Sequence, residues 1–308
     1  MKKLTINTLI TTFVTIIVIT ILVSCRKSDL VEIIPIHNKN LHEELIQLNS
    51  RITEQTNCDP VRKEGSNFWN NVKRVGNVVG KVCAIAGSDI TGAAAGVVAT
   101  SKISAAFGVA TGGTGAAIVS GAAAVICGTG ASYATGKALC NNVININQND
   151  STWARLWDYQ EIGEKHNMCL YYKNNDTNYN ISAFVLSLDS IPTELFYLEE
   201  WSSFILESQN FSTNYVDDEL SINELMNLYL DNEYLSSNIY EVLLSFFSIY
   251  LYVDNLTEID YIIESYVNFI ENTNNLLDIE KEALLSALAV ANYSPFYWVS
   301  VVTYDSNN

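Results

Sequence analysis

From Gly76 to Gly136 every fourth residue is Gly, Ala, Ser or Thr, sixteen positions in one unbroken register. The glycines of that register are Gly76, Gly80, Gly92, Gly96, Gly108, Gly112, Gly128 and Gly136. Residues four apart share a face of an α-helix, and small side chains there let two backbones approach closely. A strict period of four drifts by about 40° per step around a helix of 3.6 residues per turn. One straight helix cannot hold such a face for sixteen steps. A break is therefore expected, and Thr111-Gly112-Gly113-Thr114-Gly115 is the place for it. The expected unit is a Gly/Ala-rich helical hairpin over residues 66–140.

Such a hairpin needs support. Thirteen of the 15 glycines lie between Gly76 and Gly136, and each costs an exposed helix about 1 kcal/mol relative to Ala. Lipid with close packing would offset this, and so would a tight protein partner. Ile103 to Ala124 carries no charge and is long enough to span a bilayer. Lys81, Asp89 and Lys102 interrupt the first half, and a charge at mid-bilayer costs about 2.5–3.5 kcal/mol. Three readings stay open: a hairpin buried against the rest of the chain, a membrane-active or self-associating zipper, and a Gly/Ala linker. The run from Phe68-Trp69 and Val72–Gly76 through Asp89–Gly96 resembles glycine-zipper stretches of bacterial membrane-active proteins and bacteriocin-like peptides. That resemblance implies membrane association or a homo-oligomer.

Charge divides the chain. Residues 184–308 hold 21 acidic residues and one basic residue, Lys281, whereas the whole chain is −17. A nucleic-acid binder needs Lys and Arg to displace phosphate counterions, so no nucleic-acid partner is expected. With 48% apolar and 17% charged residues, the chain is not globally disordered. The acidic residues are expected on solvated outer faces; the sharper alternative is a surface that docks a basic partner or a cation.

The N-terminus carries an address. Met1-Lys2-Lys3 precedes an apolar run from Leu9 to Val23, the pattern of a secretory leader. The run ends in Leu22-Val23-Ser24-Cys25, which resembles the bacterial lipobox, where a small residue precedes a lipidated Cys. The resemblance implies a signal peptide over 1–24, acyl chains such as palmitate on Cys25, and anchoring to the outer membrane of a Gram-negative cell. Periplasmic and surface display both remain open, because Arg26-Lys27-Ser28-Asp29 matches a surface-export signal only in part. Residues 25–65 read as a tether with a short helix around Leu41–Leu48.

Export permits disulfides. Cys83 is expected to pair with Cys140 if the hairpin turns at Gly112-Gly113, or with Cys127 if it turns near Ala105. No CxxC or CxxH spacing occurs and the three histidines are scattered, so neither a metal site nor a cofactor is expected. His166, near Glu161 and Glu164, reads as a helix-start residue whose ring bonds the backbone. Its alternative is an acid–base group, but no nucleophile turn accompanies it, and no catalytic residue is assigned. Tyr159–Leu170, within the Asn-rich connector 141–190, and Leu284–Trp298 resemble stretches of exported, lipoprotein-like chains of Bacteroidota. That resemblance implies an origin and no mechanism.

Residues 191–308 carry helical periodicity. Leu195, Leu198, Trp201 and Ile205 form one stripe; Leu225 and Leu228 begin another. Tyr240, Leu243, Leu244 and Phe247 form a third, and Ile259, Ile262, Ile263, Val267 and Ile270 a fourth. Ser221-Ile222-Asn223-Glu224 reads as a capping box, Asp278 as an N-cap before Ile279, and Thr257 as another helix start. The expected fold is mainly α: the hairpin, then an acidic, all-α bundle-like domain of five helices.

The expected function is a non-enzymatic, membrane-anchored lipoprotein whose zipper-like segment serves membrane association or self-association. The alternatives are a bacteriocin-like antibacterial toxin or its immunity partner, and a hydrolase using scattered carboxylates. Lipidation at Cys25 is directly testable. Metabolic labelling with an alkyne fatty acid should mark the wild-type chain and not Cys25→Ser; equal labelling of both would exclude acylation at that residue.

Overall fold

The computed structural model describes residues 39–56, 78–106, 114–139, 159–175, 180, 199–217, 222–251 and 256–305. All regular structure among them is α-helical. The order is α1 (Lys39–Gln55), α2 (Val78–Ala106), α3 (Thr114–Leu139), α4 (Gln160–Asn175), α5 (Glu199–Asp217), α6 (Ile222–Asp231), α7 (Ser237–Tyr250), α8 (Leu256–Asn272) and α9 (Asp278–Asp305). The leader, Cys25, Gly76, Gly108, Cys140 and residues Thr111, Gly112 and Gly113 of the expected break lie outside the described residues, whereas Thr114 and Gly115, expected in that break, are the first two residues of α3.

Two kinds of helix build the fold. The outer helices are amphipathic. α1 buries Leu41, Leu45, Leu48 and Ile52, and α8 buries Ile259, Ile262, Ile263, Tyr266 and Ile270. Those spacings mark one helical stripe against the core. α6 and α7 do the same through Leu225, Met226 and Tyr229, and through Val242, Leu243, Phe246 and Phe247. The inner helices are different. Residues 85–97 of α2, 119–129 of α3 and 283–295 of α9 are buried on every side. α2 packs along both α3 and α9; α4 lies on α9 and α3, and α5 lies on α3.

The acidic segment is therefore not a separate bundle. Its last helix enters the interior beside the hairpin, and both belong to one compact unit, Asn38–Asn308. The reason is compositional. Ala283, Ala287, Ala289 and Ala291 are buried in α9, so a third small-residue helix can approach α2 closely.

The drift of the period-four register is visible in what each glycine faces. A Cβ built on Gly92 would lie 3.0 Å from the Cys127 carbonyl oxygen, and one on Gly96 would lie 2.6 Å from that of Ala123. Gly128 faces the Asp89 carbonyl oxygen. Two steps later the face has turned away from α2: Gly136 lies against the Trp298 indole of α9, at a distance no Cβ could occupy. Gly80 falls in the first turn of α2.

Helix ends refine the sequence reading. Asp278 sits one position inside α9. The cap is Leu277, whose carbonyl accepts from the Lys281 amide. Glu280 reaches back to the Leu277 amide at 2.9 Å. Its other oxygen accepts from the hydroxyl of Ser236 at 2.6 Å. Ser236 is the N-cap of α7, so one carboxylate joins two helix starts. Ser221 lies outside the described residues, and Thr257 follows Leu256, the first residue of α8. Pro295 stands inside α9 and cannot donate to the Ala291 carbonyl. The Tyr250 hydroxyl of α7 donates to that oxygen at 3.1 Å, replacing the missing bond.

Cys127 is a buried free thiol, as is Cys169, so the Cys83–Cys127 bridge is not formed. Cys127 stands opposite Gly92 and Gly96, nine to thirteen residues along α2 from Cys83, about 14–20 Å at helical rise. Burial also pushes the Cys127 thiol far above its ordinary range.

The contacts change what Ala should do at the hairpin contact. Small-residue packing alone suggests that Gly→Ala is mild or stabilising, since Ala favours a helix by about 1 kcal/mol. At Gly96 the added methyl meets rigid backbone, and overpacking of that kind costs about 1–3 kcal/mol. Gly96→Ala should lower Tm by several degrees and Gly96→Leu should prevent folding. Gly130→Ala, where the nearest atom is the flexible Gln209 amide at 3.7 Å, should hold or raise Tm. Equal tolerance at both positions in thermal melts would contradict this packing.

Candidate functional site

The most polar point of the core is Asp89 of α2. It is the only charged residue between Val82 and Ser101, and its carboxyl is fully buried. Four helices meet around it. Ser294 of α9 donates its hydroxyl to Asp89 Oδ2. Ser132 of α3 bonds the same carboxyl, and the Trp298 indole donates to Ser132 Oγ at 2.8 Å. His166 of α4 completes the group, with Nε2 3.7 Å from Asp89 Oδ2 and no exposure. One turn away Thr135 donates to Ser88 at 2.9 Å, extending a polar seam through the hairpin.

Small residues make this meeting possible. The His166 ring edge lies against Gly128, where a Cβ would come within 3.3 Å. Gly163, one turn earlier on α4, lets Tyr293 and the Ala289 carbonyl approach. Asn167 anchors α4 to α9 by donating to the Tyr293 carbonyl at 2.8 Å.

His166 is not a helix-start residue. It lies in the middle of α4, fully buried. Its Nδ1 is 3.1 Å from Asn167 Oδ1. An amide oxygen only accepts, so Nδ1 carries the proton and Nε2 presents a lone pair toward Asp89. Among the described residues, Nε2 and Asp89 Oδ1 have no hydrogen-bond partner.

Both groups are driven toward their neutral forms. Burial holds the Asp89 carboxyl well above the usual carboxylate range, against the opposing hydrogen bonds of Ser294 and Ser132. Burial lowers the His166 imidazole to about 4, against the Asn167 side chain and the Gly128 backbone, which hold it up.

The chemistry available to this cluster is limited. Ser294 donates to the carboxyl rather than to the imidazole, so His166 is not placed to activate it. Asp89, His166 and Ser294 are each fully buried, and a substrate reaches none of them in this conformation. No group of three or more His, Cys, Asp or Glu among the described residues is placed to hold a metal ion. Of the zipper glycines, Gly92, Gly96 and Gly128 meet at the α2–α3 contact, and Gly136 faces α9. Periodicity does not single out Asp89 as a site. Its signal was isolation, one carboxylate in a run of small and apolar residues.

No protein-family model matches the chain, no curated protein matches it, and no solved structure matches it.

The pair has a defined pH signature. Asp89 has a raised folded pKa, so its contribution is present below about 4, the unfolded value, and is lost as pH rises. His166 has a lowered one, so its contribution is present above about 6.5 and is lost as pH falls toward 4. Between those limits the two effects oppose each other: the Asp89 contribution falls with pH while that of His166 rises. Melts of the full chain should show Asp89→Asn gaining on wild type as pH rises, by up to about 1.4 kcal/mol per unit. His166→Gln should gain on wild type as pH falls from about 6.5 to about 4. Parallel curves for wild type and both variants would mean that neither group is held neutral.

Proposed function

We propose that this chain is a non-enzymatic lipoprotein, held on the outer membrane by lipid on Cys25, whose small-residue hairpin is the core of its own helical head. The observation that carries this reading is what the glycines face. Gly92, Gly96 and Gly128 are covered by the opposite arm of the hairpin, and Gly136 by Trp298. A second copy or a bilayer meets none of these faces while the bundle is closed. No helix among the described residues is long and apolar enough to cross a membrane. Attachment then rests on acyl chains, each buried CH₂ adding about 0.8 kcal/mol.

A second reading has one observation in its favour. Residues 85–97 and 119–129 are buried on all sides, and a helix apolar all round suits either a protein core or a membrane. A bundle that opened would present this hairpin to a bilayer, as an antibacterial toxin requires.

Detergent phase partitioning and dye-loaded vesicles separate the two. Wild type should enter the detergent phase. A chain that begins at Arg26, with neither leader nor acyl site, should remain in the aqueous phase and leave vesicles intact from mildly acidic to mildly alkaline pH. Vesicle leakage or detergent partitioning by that chain would assign membrane activity to the hairpin instead.

A further inference from the structure

α1 and α8 run antiparallel. At one end the Thr273 hydroxyl donates to Glu44 Oε2 at 3.1 Å. Further along, the Tyr266 hydroxyl donates to Asn49 Oδ1 at 2.6 Å. Between the helices lies an open groove of about 520 Å³. Leu48 and Ile52, both buried, form its floor with the half-buried Phe269. The register set by the two hydrogen bonds places Gln47 across from Asn268, Arg51 across from Ser265, and Gln55 across from Tyr261. The walls thus carry successive polar rungs above an apolar floor.

Three properties of these rungs define a ligand. The carboxamides of Gln47, Gln55 and Asn268 are exposed and make no hydrogen bond to other described residues. Each offers a donor and an acceptor together. The groove is also neutral overall: Glu44 and Arg51 cancel, and none of the four carboxylates of α8, Glu258, Asp260, Glu264 and Glu271, lines it. Finally, the stripe from Glu44 to Gln55 spans about 16 Å at helical rise.

We propose that this groove binds a neutral oligosaccharide of about three rings. Sugar hydroxyls donate and accept at every position, carry no charge, and leave C–H faces to rest on Phe269. An anion would meet Glu44 and the acidic remainder of the chain. A cation would find one carboxylate, already bonded to Thr273. A purely apolar occupant would cover the carboxamides without satisfying them. An extended peptide also suits the amides, and the peptide control below decides between it and a sugar.

The experiment is calorimetric titration of the full-length protein with maltotriose, cellotriose and triacetylchitotriose in turn, with trialanine as the peptide control. At least one trisaccharide should bind with Kd of about 1 mM or tighter. Gln47→Ala and Asn268→Ala should each weaken that binding by about three- to tenfold, the loss of one neutral hydrogen bond. Both side chains are exposed, so the variants should melt as wild type does. No heat from any trisaccharide at about 10 mM would overturn the proposal. So would affinity unchanged in both variants, or trialanine binding tighter than the sugars.

Discussion

Everything in the interior depends on how closely two backbones approach where α2 crosses α3. At Gly96 a single methyl group would come within 2.6 Å of the Ala123 carbonyl, so the contact exists only because the side chain is absent. Dispersion across such an interface is small per atom pair and large in sum. It is also the term that offsets the poor helix propensity of so many glycines. The same closeness recurs at Gly128, Gly136 and Gly163, each admitting a different neighbour. Large side chains are then held where the small ones leave room: Trp298 is fully buried beside Gly136.

A core built from small side chains has little shape of its own to fix the register of its helices. The polar cluster supplies a marker. Asp89, Ser132, His166 and Ser294 come from four different helices, and sliding any of them by one turn would leave a buried polar group without a partner. Burying such groups costs stability unless they are paired. Neutralising both Asp89 and His166 lowers that penalty, at the expense of opposing pH dependences from the two groups. The freed carbonyl at Ala291 is handled in the same way, by Tyr250 from a neighbouring helix.

The division of roles across the molecule follows from this interior. Its chemistry-bearing groups are sealed, so contact with the outside passes to the amphipathic helices. α1 is the clearest case. Leu41, Leu45, Leu48 and Ile52 commit one face to the core, while Glu44, Gln47, Arg51 and Gln55 remain on the side that borders the groove. Asn49 and Tyr266 lock its position through a network that also takes in Ser245. The acidic character of α8 is turned away from that groove, which leaves a neutral strip on a strongly acidic segment.

Much was legible in the residues alone. The helical class, the stripes of α6 to α8 and the need for a break between two small-faced helices follow from local periodicity and propensity, which act over a few residues; Leu195 and Leu198 of the stripe before Trp201 lie outside the described residues. The partners of those faces did not. A period-four run states that something comes close, not what, and here the neighbours are the other arm of the hairpin at Gly96 and a helix some 160 residues later at Gly136. Asp89 read as an interruption and His166 as a helix start, because each gains its meaning only from the other. Spacing alone makes Cys127 a bridge candidate, but the register places it beside Gly92. The sequence by itself determined the elements, since hydrogen bonding within a helix is local. Only the tertiary structure decided which small faces meet and which polar groups are neutralised, since close packing and desolvation depend on neighbours distant along the chain.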